Sequence, residues 1–406
     1  MGRWTAALTR ESIDRHAIDR SATTVQIART WVRPVHRVER VLASRTVAAP
    51  DDPILRPLTH LHGARHHVAP TDRLRAIRRG AHALRERLLS APPVRFFRSF
   101  DLVRVPYPTK YALREACGLP VPYVHILNRL FVVQFDTPAG IKTLLGEPLD
   151  RLANAKTPFF ARLAAPMGGA DGAIARRVWP PLGDVVEILD GLGIAPGDVD
   201  YITYDHLHTQ DLRRWLGSHD REAYFPNAKL LVMRQEWASC HGLLPTQAQW
   251  YCPGGTDGIP DHRVIALDGD VSLGESVALV HTPGHTEGNH SLVVRTPEGL
   301  FVSSENGVAA ECYAPLHSRI PGVASWARRT GSEVVLNGNT LEGSVDQYLS
   351  MVLEKELAGP SQRNPDFPNV APSSELCAHW LSPGLGPTFC VGALAFGEPH
   401  GSLVRD

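Results

Sequence analysis

The stretch HTPGHTEGNH, residues 281–290, constrains this chain more than any other. Pro283-Gly284 forces a tight turn and delivers His285 at its tip. The flanking runs SVALVH and HSLVVR read as strands, so His281 closes the first and His290 opens the second. A histidine fixed at a strand end by a rigid turn is a candidate metal donor, and it needs partners. Two segments could supply them: THLHGARHH at residues 59–67 and YDHLHTQD at residues 204–211.

A metal site needs deprotonated donors converging within roughly 2.0–2.3 Å of one ion, so context decides more than histidine count. DVDYITYDH reads as a strand, and alternation at its end puts His206 and His208 on one side. TQDLRRWLG then reads as a helix with Thr209 as N-cap and Gly217 at its C-terminal end. That would set Asp211 in the first turn, within reach of the same point; the plainer alternative is a carboxylate that only complements the helix N-terminus. His60 and His62 follow no clear strand, and His66 and His67 precede Pro70 with no carboxylate close by. A surface loop is expected there.

A chain of 406 residues with 43% hydrophobic residues can build one large core with accessory segments, or two domains. Residues 1–90 carry 17 Arg against 8 Asp or Glu, while the whole chain is neutral. Residues 1–95 are therefore expected to form a basic, Arg-rich helical extension. Within it Leu74, Ile77, Ala81, Leu84 and Leu88 recur at helical spacing after a Pro70-Thr71 start signal. The expected arrangement packs that stripe on the main domain and leaves the Arg face solvated; binding to a membrane surface or a partner is the alternative.

Residues 96–358 read as a domain of short strands and turns. HILNRLFVVQF, AKLLVMR and LFVSS are strands, PPLGDVVEILDGLG is a helix ended by Gly193, and SVDQYLSMVLEKEL is a closing helix. Residues 359–406, rich in Pro, Gly and Ser, are expected to be a tail or lid. The six cysteines lack CxxC spacing, which indicates neither a zinc ribbon nor a disulfide framework. Zero net charge gives no general argument for nucleic acid. With no apolar run of about 18 residues and no signal-like N-terminus, a cytoplasmic protein without a transmembrane segment is expected, acting on a small molecule. Assembly into a homo-oligomer is left open.

The order strand, His-x-His, helix, strand, Thr-Pro-Gly-His-Thr-x-Gly, then a hairpin ending in a carboxylate resembles the metallo-β-lactamase superfamily over about residues 96–358. The resemblance implies an α/β fold, an αββα sandwich with its metal site at the strand ends between two sheets. FPNAKLLVMRQEWASC is most similar to the lactonase-like and esterase-like branch. Carried over by position, the family's metal-binding histidines fall on His206, His208 and His285. Its aspartate falls on Gln210, its third motif histidine on Asp211, its bridging aspartate on Glu305, and its last histidine on Asn339. The first metal position thus keeps three imidazoles with Glu305 as a fourth donor, a set suited to one catalytic Zn2+. The second keeps only oxygen donors, Asp211, Glu305 and Asn339, and would take Mn2+ or Mg2+ or stay empty.

Such a metal lowers the pKa of its water toward about 7 and supplies hydroxide, so the resemblance implies a hydrolase of a small ester or lactone. Gln210 cannot take up a proton near neutral pH; Asp211 is the expected substitute and Asp205 a more distant one. Trp237, His241, Trp250 and Tyr251 are the candidate walls of a substrate pocket. Two other readings use the same residues. In a mononuclear Fe2+ dioxygenase, His206, His285 and Glu305 would form the facial triad. In an inactive binding or scaffold protein there would be no stoichiometric metal. Against the latter, the substituted positions still carry groups able to coordinate.

Overall fold

Alternation along the strands sorts apolar side chains into three layers. In the strand His290–Thr296, Leu292 and Val294 face one core cluster and Val293 faces another; in Tyr123–Thr137, Phe131, Val133 and Phe135 face inward while Leu130 and Val132 face away. Successive strand residues point to opposite faces, so strands apolar on both sides must be covered on both sides. The computed structural model describes residues 52–339 and 343–403. The first 51 residues, and with them much of the expected basic extension, lie outside the described residues.

One sheet is antiparallel, in the order β1 (Leu55–Pro57), β8 (Val271–Leu273), β9 (Val277–His281), β10 (His290–Thr296) and β11 (Gly299–Ser303). The second runs β13 (Ala395–Gly397), β2 (Phe96–Pro108), β3 (Tyr123–Thr137), β4 (Gly140–Gly146), β5 (Tyr201–Thr203), β6 (Lys229–Met233) and β7 (Val264–Leu267), with β12 (Ser374–Cys377) pairing onto β3. From β4 to β7 the pairing is parallel.

Phe97, Phe131, Val133 and Met233 of the second sheet meet Leu279, Leu292 and Phe301 of the first in the central core. Helices α1 (Pro70–Leu89) and α5 (Ser344–Ala358) cover the outer face of the first sheet through Ile77, Ala81, Leu84, Leu88, Leu349 and Val352. Helices α2 (Val185–Gly191) and α3 (Arg213–Leu216) cover the second through Val185, Leu189 and Trp215. The fold is the αββα sandwich. Leu84 is fully buried, and truncating such a side chain to Ala costs about 2–5 kcal/mol.

The apolar stripe of α1 packs on the main domain through Ile77, Ala81, Leu84 and Leu88, β1 edges the first sheet, and Arg78 on the basic face is paired with Glu333 and Glu356 rather than left to solvent. The C-terminal segment is neither tail nor lid, because β12 and β13 extend the second sheet. Strands of three or four residues carry no readable periodicity; backbone pairing alone reveals them. Val334 and Val335 are buried but join no strand, so Asn339 follows an irregular segment.

Candidate metal centre

β5 ends at Thr203, and the chain bends at Asp205 before running through His206 to His208, which bridges to Tyr251. Leu207 turns into the outer core, which leaves His206 and His208 on the opposite side. From β9 the Thr282-Pro283-Gly284 turn brings in His285. Its glycine is obligatory: φ is +143°, and a β-carbon would run into the backbone of Gln347 on α5. Gly288 faces the same demand, since a β-carbon there would strike the backbone of Glu236.

The three imidazoles converge. Their candidate ligand atoms lie within 4.8 Å of one another, the one such group of His, Cys, Asp or Glu among the described residues. Nε2 of His206 and Nε2 of His285 are 3.2 Å apart, close to the roughly 3.3 Å that two nitrogens span on one tetrahedral zinc with bonds of about 2.0–2.1 Å. All three rings are at most 5% exposed. Both ring nitrogens of His208 and Nδ1 of His285 have no hydrogen-bond partner. Buried polar atoms left unpaired are costly and call for an explanation, and a bound cation gives one for a ring nitrogen of His208. The residues fit a metal.

The electrostatics agree. Burial, reinforced by the neighbouring imidazoles, holds His208 and His285 well below the usual histidine range, keeping their lone pairs free. Burial acts on His206 in the same sense, but the Asp205 carboxylate outweighs it and lifts His206 to about 9. His206 Nδ1 donates to Asp205 Oδ1 at 2.6 Å, which aims Nε2 at the other rings. A carboxylate behind a ligating histidine fixes its tautomer and orientation. Metal entry must then displace a proton from Nε2.

Several residues that hold this arrangement were not singled out from the sequence. Glu236, fully buried on α4 (Arg234–Cys240), accepts from Leu207 N at 2.8 Å, Tyr251 OH at 3.1 Å and Thr286 Oγ1 at 2.6 Å, binding both histidine motifs to one carboxylate. Ser373, just before β12, donates to Asp205 Oδ2 at 2.7 Å. Glu147, beyond β4, accepts from Asp205 N at 2.7 Å; burial and the Asp205 charge push its carboxyl well above the usual range. Asn306 accepts from His285 N at 3.1 Å and donates at 2.7 Å to Glu354 on α5.

The expected site residues divide. Glu305, Asn339, Gln210, Trp250, His206 and His208 line one cavity, whose far wall is apolar: Val103, Val105, Ile126, Leu149, Phe160 and Trp179. Asp211 is turned elsewhere, gripped by Arg213 through Nε at 2.9 Å and a second guanidinium contact. The expected helix start also shifts: Thr209 is not its N-cap but sits at φ +64° with its N–H on Trp250 O, and α3 begins only at Arg213. Tyr251 packs against His208 with ring centres 4.8 Å apart and bonds to Glu236. Trp237 and His241 pack on each other with their rings tilted by 59°, and neither lines the cavity. In the first histidine cluster, His62, His66 and His67 are exposed on a loop, as expected.

No family model matches the sequence. Among curated proteins the chain is 31% identical over 139 residues to the N-acyl homoserine lactonase AttM of Rhizobium radiobacter, covering 31% of this chain and 48% of that protein. It is 29% identical over 112 residues to an N-acyl homoserine lactonase of a Bacillus species, covering 28% and 39%. The chain thus spans about half the length of the curated relatives it matches, or less. Among solved structures it is similar to AidC, a dizinc quorum-quenching lactonase (13% identity, 76% of this chain, 96% of that one, TM-score 0.43). It is also similar to a probable metal-dependent hydrolase from Staphylococcus aureus (11%, 64% and 83%, TM-score 0.44). The four layers and the three histidines at their strand ends are what the sequence's resemblance to the metallo-β-lactamase superfamily implies, and over part of its length the chain is similar to curated lactonases.

Proposed function

We propose that the chain is a metal-dependent hydrolase of a small ester or lactone, built around one zinc ion on His206, His208 and His285. The observation that carries this reading is the convergence of three buried imidazoles, with both ring nitrogens of His208 unpaired, beside a cavity that has an apolar wall. His206, His208 and His285 would hold the ion, which when bound would supply Lewis acidity and lower the pKa of its water toward neutrality. The chain's own residues supply the rest. Asp205 orients His206. Glu305 is the carboxylate on the cavity wall, and with Asp211 locked to Arg213 it takes over the exchange of protons with the reacting water and leaving group. The apolar wall suits an acyl chain, which fits the curated relatives' named activity toward N-acyl homoserine lactones. The second metal position stays empty, because Asp211 is neutralised within the protein.

Elemental mass spectrometry of protein purified without chelator, alongside turnover of a panel of lactones and aliphatic esters, tests the reading. About one zinc per chain, lost in His285→Ala, with lactone or ester hydrolysis, is the expected result. Two metals per chain would overturn the single-site assignment, one iron would put the oxygenase first, and no metal in a folded chain would end the hydrolase reading.

A further inference from the structure

We infer that Gln210 is a hydrogen-bond donor to the substrate carbonyl oxygen and the product carboxylate, its amide orientation set by Asn154. The inference rests on the hydrolase reading and concerns the polarity of one cavity wall.

The argument starts from a group whose polarity is not in doubt. The backbone N–H of Asp211 can only donate, and it is 3.1 Å from the side-chain oxygen of Asn154. The other end of that amide is therefore the NH2, and it lies 2.8 Å from the side chain of Gln210. An NH2 group cannot accept, so Gln210 must offer it Oε1. Both amide orientations, ordinarily a choice between two flips, follow from a single backbone hydrogen. What remains is Nε2 of Gln210. It has no partner among the described residues, and Gln210 lines the cavity beside His206, His208 and Glu305.

The surroundings keep the relay in place. Asn154 and Gln210 are both buried. Asn154 ends the short helix Arg151–Asn154, with its N–H on Asp150 O and its carbonyl receiving Thr157 N–H. The backbone of Gln210 is pressed by Gly255, where a β-carbon would meet the Gln210 carbonyl. Thr209, at φ +64°, is tied by its N–H to Trp250 O at 2.7 Å. A non-glycine residue in that region persists only where its surroundings hold it there.

A fixed donor aimed into a water-poor cavity stabilises negative charge developing on a carbonyl oxygen, and removing one such donor elsewhere costs about 10²–10³ in kcat. A side chain that accepts at this position would do the opposite and repel the same oxygen. Gln210→Glu keeps size and the bond from Asn154 but presents an oxygen to the cavity. Asn154→Asp keeps the bond from Asp211 N–H but forces the Gln210 amide to turn over, reversing its polarity without touching substrate.

The test uses the full chain loaded with zinc and hexanoate as a carboxylate probe. Isothermal titration and the 1H–15N signal of the Gln210 side chain are followed, with zinc content checked in each protein. The expected result is a downfield shift of the Gln210 amide protons on binding, and hexanoate affinity about tenfold weaker in both variants at unchanged zinc content. In turnover of the best lactone, kcat should fall with little change in KM. If hexanoate does not bind the wild type, or binds it with no amide shift, or binds both variants as tightly as the wild type, the donor assignment is overturned. If Asn154→Asp does not fold, Gln210→Glu and the wild-type amide signal decide alone. Binding with the expected shift but no hydrolysis of any lactone or ester would sustain the donor and sink the hydrolase; hydrolysis unaffected by either variant would do the reverse.

Discussion

His206 and His208 are 5% and 4% exposed, and neither ring nitrogen of His208 has a partner. The chain's other His-Leu-His ends differently: His62, His66 and His67 stand in solvent on the loop before α1, and His60 lies under it with only Nδ1 buried and unpaired. The residues match, and the backbones beneath them do not. One segment leaves a parallel strand next to the turn that carries His285; the other crosses Gly80 of α1, where a β-carbon would meet the His60 carbonyl at 2.6 Å. A donor becomes a site only where burial strips its water and rigid neighbours bring others to the same point.

The sharpest way to break this comparison is a pair of substitutions. His285→Ala should remove bound zinc altogether, whereas His66→Ala should leave zinc content and turnover at the wild-type level; equal loss in both would erase the distinction. Asp205→Asn keeps the ring in place but weakens its orientation. Zinc affinity or turnover should drop about 10- to 100-fold, measured by competition with a chromogenic chelator on protein whose circular dichroism is unchanged.

Smaller effects concern the scaffold. Burial pushes Glu354 up to about 7 against the hydrogen bonds it receives from Asn306, Tyr313 and Ser291. In the unfolded chain it titrates near 4.3. The folded state therefore holds a proton that the unfolded state has released, so this contribution is complete below about pH 4 and is lost as pH rises through 7. Glu354→Gln should flatten the fall in urea midpoint over that window, a difference on the order of 4 kcal/mol at most; an unchanged slope would contradict the assignment. Asp211→Asn should cost about 1 kcal/mol, since Arg213 is partly solvated, with zinc content unaltered. A halved zinc content in that variant would show that Asp211 is a ligand after all.

Much of the sandwich was legible in the sequence. β3, β9, β10 and β11 contain apolar, β-branched-rich runs, and His206, His208 and His285 stand out because each reads as a strand end or a forced turn. Asp211 was misplaced for a local reason. Thr209 adopts a left-handed conformation bonded to Trp250, which delays the helix, and Arg213 two residues on captures the carboxylate. That Asp-x-Arg spacing was present in the sequence and could have warned of the pairing. Glu147, Glu236 and Ser373 carried no comparable signal. Each reaches the site by strand or helix packing across 29 to 168 residues, a relation that no local pattern encodes.

The bond from Ser373 to Asp205 has a kinetic meaning. It closes 168 residues of chain, and the His206 to His285 contact closes 79. Contacts of such long range form late, after the entropy of closing the intervening loops has been met. A partly folded chain therefore has its histidines apart and its aspartate unaligned, and it holds metal weakly or not at all. Under the proposed function, metal uptake would then report the last stage of folding, because the site is complete only when the segment that carries Ser373 has docked on Asp205.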